Sequence, residues 1–183
     1  MRDKKGAIEL SIGTIVVIVL SMSMLILGLV LVKNIFLGAT NIVDMTNDQL
    51  MDQVSKLFGE DKKLVVYPNI RQIVVKSGEA SGFGIGIKNL LTGVQDKKFS
   101  YEVVVSDPDI QKKCGVGERE AEGWISTGRS EENIGLAPGE FISGKVLLDV
   151  PEGSTLCTFR YRINVMYGGE SYASELMDVS IRA

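Results

Sequence analysis

Histidine is absent from all 183 residues of this sequence. Its absence removes the side chain most often used as a general base near neutral pH and the commonest metal ligand, and with them most hydrolase and metalloenzyme chemistries. The sequence has no EF-hand pattern, no Cys-x-x-Cys pair and no Asn-x-Ser/Thr acceptor. A basic excess is also lacking: 20 Lys and Arg stand against 23 Asp and Glu, for a net charge of −3. That balance argues against a nucleic-acid partner, which calls for a basic patch or stripe. No constellation of residues supports catalysis, a metal site or a cofactor, so the chain is read as a non-enzyme.

What the sequence does have is uneven. Its hydrophobic share is 45% although 23% of residues are charged, and the apolar excess is concentrated in the first forty residues. From Leu10 to Val32 there is no charged side chain. A helix of that length crosses a hydrocarbon core of about 30 Å and exceeds the apolar region of an ordinary secretory signal. Arg2, Lys4 and Lys5 precede the run, while Asp44, Asp48 and Asp52 follow Lys33. The positive-inside rule then puts the N-terminus in the cytoplasm and the bulk of the chain outside, with membrane lipid as the first partner. Phe36, Val43, Leu50, Val54 and Leu57 continue a helical stripe, with Gly38 as a candidate bend. Such a stripe either packs on the chain's own domain or on copies of itself.

Beyond Glu60-Asp61-Lys62-Lys63 the periodicity changes to two. Strand-like runs cover Leu64–Lys76, Gly82–Leu91, Lys97–Ser106, Gly123–Ser126, Phe141–Val150, Leu156–Tyr167 and Ser171–Arg182, with Pro68 either dividing the first into two short pieces or placing it at a sheet edge. Cys157, Phe159, Tyr161, Ile163, Val165 and Tyr167 form one face of the clearest strand, opposite Thr158, Arg160, Arg162 and Asn164. Turn residues separate the runs, and Gly168-Gly169 suits a tight hairpin. The expected fold is one extended transmembrane helix plus an all-β C-terminal domain, an immunoglobulin-like antiparallel sandwich of about seven strands. The expected division is a cytoplasmic lead at 1–6, helix and helical stalk at 7–60, and an extracytoplasmic domain at 61–183.

Several features invite a sharper reading. Gly82-x-Gly84-x-Gly86 lacks the G-x-G-x-x-G spacing of a dinucleotide site, so glycines alternating on one strand face mark close packing instead. Glu118, Glu120, Glu122, Glu131 and Glu132 lie in an expected loop from Asp107 to Leu136, where Lys112, Lys113, Arg119 and Arg129 dilute their charge. A solvated loop is the simpler reading than a calcium site. Trp124 reads as a core aromatic beneath that loop. Cys114 and Cys157 either pair, which outside the cell stabilises a loop of this size by roughly 4 kcal/mol, or remain free thiols. Paired, they would pin the loop to the best strand.

Lys4-Lys5-Gly6-Ala7-Ile8-Glu9 before a long apolar run resembles the class III signal of archaeal type IV pilin-like and archaellum-associated proteins. The resemblance implies cleavage between Gly6 and Ala7 by a prepilin-type peptidase, with the hydrophobic helix retained. It also implies an assembly role for Glu9, pairing with the terminal amine of a neighbouring copy or another pilin-like subunit. Glu9 would be the third mature residue, whereas the familiar bacterial pattern has the acid fifth, and the alternative is a carboxylate lying at the headgroup level. The segments FGIGIKNLLTG and LAPGEF…GKVLLDVPEGSTLCTFRYRINVMYGGESY resemble strands of adhesion-type and archaellum-associated sandwiches. Two functions remain open: a pilin-like subunit of a cell-surface filament, or a membrane-anchored module that binds an envelope protein or surface polymer without polymerising.

Overall fold

The computed structural model describes residues 12–37, 42–93 and 97–183. The chain divides into two compact units, one ending at Thr40 and the other running from Asn41 to Ala183.

The described residues of the first unit form one helix, α1 (Ile12–Leu37, 26 residues). At 1.5 Å per residue it is about 39 Å long. Its window Gly13–Leu31 is long and apolar enough to cross a membrane, and none of that window is buried. The two serines in the window do not break the pattern. The Ser21 and Ser23 hydroxyls donate to the carbonyls of Val17 and Val19, each at 2.8 Å, so their polar groups are satisfied within the helix. Gly38, the expected bend, lies outside the described residues.

The second unit begins with a turn at Ile42–Asp44 and a new helix, α2 (Asn47–Leu57). The expected stripe from Phe36 to Leu57 is therefore not one continuous helix. Thr46 starts α2 with a capping box: its hydroxyl accepts from the Gln49 N–H at 3.2 Å, and the Gln49 side chain accepts from the Thr46 N–H at 2.9 Å. Leu50 and Val54 from the stripe are buried, and they pack on the chain's own sheet.

Among the described residues nine strands follow: β1 (Leu64–Tyr67), β2 (Gln72–Lys76), β3 (Ala80–Lys88), β4 (Phe99–Val105), β5 (Ile125–Thr127), β6 (Ser130–Ile134), β7 (Phe141–Asp149), β8 (Thr158–Tyr167) and β9 (Glu170–Arg182). They form a four-stranded sheet ordered β1-β3-β7-β5 and a five-stranded sheet ordered β2-β9-β8-β4-β6. All neighbours are antiparallel except β2 and β9. The count exceeds the expected seven for two reasons. The run divided by Pro68 makes two strands in different sheets, and β6 arises inside the segment expected to be loop. Only Ile134 of β6 is buried, so no apolar alternation announces it.

The main core lies between the sheets. Phe83, Ile85 and Ile87 of β3 meet Phe159, Tyr161, Ile163 and Val165 of β8, with Met177, Val179 and Ile181 of β9 beside them. On the opposite face of β3, Gly82, Gly84 and Gly86 lie under Ile42, Leu50 and Val54. A Cβ on Gly84 would press into Leu50, and one on Gly86 into Val54 and Val65. The alternating glycines are thus the seat of α2, and α2 belongs to the same compact unit as the sheets. The Gly168-Gly169 hairpin forms with both residues at positive φ, which glycine adopts without steric cost.

Candidate functional site: a disulfide-pinned excursion

Gly6, Ala7 and Glu9, the candidate processing and assembly residues, lie outside the described residues. Among those described, the most built-up surface feature is the excursion between β4 and β5. It holds two short helices, α3 (Ile110–Cys114) and α4 (Glu118–Gly123). Gly115 ends α3 in the left-handed conformation, with its N–H on the Gln111 carbonyl at 3.0 Å.

Three anchors hold this excursion. Cys114 is bonded to Cys157 across 43 residues, tying α3 to the chain just before β8. The Tyr161 hydroxyl, inside the core, donates to the Ala121 carbonyl at 2.5 Å and holds α4. Trp124 packs edge-on against Phe159 with ring centroids 5.7 Å apart, and Phe159 packs in the same manner on Tyr161. Burial, with the Glu122 carboxylate nearby, pushes the Tyr161 phenol well above its ordinary range.

The charges are arranged in pairs. Asp107 is only 8% exposed. It accepts from the Lys113 ammonium at 2.8 Å and from the Asp109 N–H at 3.1 Å. Burial alone would raise its pKa, but the Lys113 hydrogen bond, the Asp109 N–H and the charges of Lys113 and Arg160 hold the carboxyl below the usual range. Arg160 forms a two-pronged pair with Asp178, at 2.6 and 3.1 Å, which raises its pKa. These groups, with Ser106 and Pro108, line a cleft of about 350 Å³.

The expected acidic cluster does not converge. Glu118 and Glu120 lie on the first turn of α4, and Glu131 and Glu132 on β6. Glu122 binds Arg129 at 2.7 Å and accepts from the Val105 N–H at 3.2 Å. Among the described residues no group of His, Cys, Asp and Glu side chains is placed to hold a metal ion. The core position of Trp124 was legible in the sequence, and the Cys114–Cys157 bond is one of the two states the sequence left open. The two short helices and the Tyr161–Ala121 bond were not legible, because single helical turns carry no periodicity.

No family model matches the sequence, and no curated protein is similar to it. Among solved structures, the alkylpurine DNA glycosylase AlkC of Pseudomonas fluorescens, bound to DNA containing an abasic site analog, is 14% identical with a TM-score of 0.34; the match covers 66% of this chain and 29% of that one. The periplasmic chaperone SfaE is 6% identical with a TM-score of 0.36, over 65% of this chain and 56% of that one. This chain therefore spans less than two thirds of either protein. At TM-scores of this size nothing about activity, ligand or partner passes from either to this chain.

Proposed function

We propose that this chain is a pilin-like structural protein of a cell-surface filament, such as a type IV pilus or an archaellum-like machine. The observation that carries the reading is α1, a helix with an uncharged, unburied window from Gly13 to Leu31, directly preceded by Lys4-Lys5-Gly6-Ala7-Ile8-Glu9. An apolar helix surface of this extent needs lipid before assembly and other helices afterwards. A prepilin-type peptidase would cut between Gly6 and Ala7, leaving Glu9 near the new terminus to pair with a neighbouring subunit. The two-sheet domain, read as an immunoglobulin-like sandwich, would lie outside the membrane, and the Cys114–Cys157 bond suits that oxidising compartment.

The pinned excursion favours a second reading, a membrane-anchored binding module that does not polymerise. Rigidly held loops at the end of a β-domain are common recognition surfaces. Glu9→Ala separates the two. In a filament subunit it abolishes the filaments sheared from the cell surface while the membrane-bound pool persists. A chain that is never found in sheared filaments, with or without Glu9, is the non-polymerising module.

A further inference from the structure

We propose that the free edge of β7 from Phe141 to Gly144 is a docking site for an extended segment of another polypeptide, which adds a strand in line with β5. Strand β7 is nine residues long. On one side β3 pairs with its whole length; on the other, β5 reaches only Leu147 and Leu148. The direction of the main-chain groups follows from two bonds on the β5 side. The Leu147 carbonyl accepts from the Ser126 hydroxyl at 3.3 Å, and the Asp149 N–H donates to the Trp124 carbonyl at 2.8 Å. Main-chain groups alternate sides along a strand, so the odd-numbered residues face this edge. Gly128 lies against the carbonyl of Lys145 and closes that position. Phe141 and Ser143 are left, each with an N–H and a C=O on the edge that no other described residue meets.

These groups open into a groove of about 520 Å³, bounded across from β7 by Asn47, Asp48 and Met51 of α2 and by Thr127. Unpaired strand groups specify an extended backbone as occupant, because only a strand presents donors and acceptors at matching spacing. The lining specifies its side chains. Met51 is 43% exposed beside the partly buried Phe141, which calls for an apolar residue on the α2 side. The Lys145 ammonium is engaged by the Met45 carbonyl, whereas Asp48 has no basic partner among the described residues, which calls for a flanking lysine or arginine. The free edge at β6, by contrast, carries Glu131 and Glu132, charges that discourage strand addition.

The test uses the full chain in detergent micelles, with empty micelles as blank, and a dye-labelled peptide Lys-Val-Thr-Val-Thr-Val-Lys followed by fluorescence anisotropy. Saturable binding is expected. Ser143→Pro removes one edge N–H at a position where proline is tolerated, and it should weaken binding at least about tenfold, while Ser143→Ala changes it less than about twofold. Should Ser143→Pro not fold, N-methylation of the peptide replaces it: alternate positions lose about tenfold and the intervening ones do not. Absence of saturable binding overturns the proposal, as does binding indifferent to both Ser143→Pro and N-methylation, which would mean a side-chain or helical occupant.

Discussion

Gly86 has no side chain where α2 approaches β3 most closely, and a Cβ there would meet Val54, Val65 and Phe58. Gly86→Val adds three carbons to a space already filled, so α2 must lift. The expected cost is about 1–3 kcal/mol. It should appear in denaturant unfolding of the detergent-solubilised chain and as lost amide protection over Asn47–Leu57; unchanged protection there would contradict the packing described. Asp107 makes a second residue-scale claim. Its carboxyl is held below the ordinary carboxylate pKa by Lys113, Asp109 and Arg160. The folded state therefore binds the proton less readily than the unfolded state. The stabilisation is full above the unfolded value of about 3.9 and is lost as pH falls through the lower folded value. Asp107→Asn should lower stability at neutral pH and flatten the acid limb of a stability–pH profile below about pH 4; an acid limb as steep as that of the native chain would contradict it.

At the scale of elements, the excursion has anchors of unequal kind. α3 depends on the disulfide, on buried Ile110 and on the Lys113–Asp107 pair, whereas α4 has the Tyr161 bond, with Trp124 packed on the core directly after it. Replacing both cysteines by serine removes a cross-link over 43 residues. The expected loss is about 4 kcal/mol on the chain-entropy estimate. Hydrogen exchange should accelerate at Ile110–Cys114 and stay slow at Glu118–Gly123; equal acceleration in both would show that the disulfide holds the whole excursion. Legibility in the sequence follows the same distinction between elements. β8 could be read directly because its faces alternate without exception from Cys157 to Val165. The glycine stripe could be read as close packing, but not for α2, since glycine records that something approaches and not what it is. β6 and the two short helices carry no period, and the break before Thr46 was hidden because apolar residues happen to keep helical spacing across it.

At the scale of the whole molecule, two units with different surfaces share one chain: a helix whose window from Gly13 to Leu31 is apolar and unburied, and a two-sheet domain built on an enclosed apolar core. In the reading proposed above the helix lies in lipid and the domain in water, and the residues ahead of the helix are the reason to expect processing at that boundary. Intact-mass measurement on the protein extracted from its native membrane tests this most directly. A mature chain beginning at Ala7, with Cys114 and Cys157 oxidised, is the expected result. A chain that keeps Met1 to Gly6 would contradict the pilin-like reading and leave a plain signal anchor.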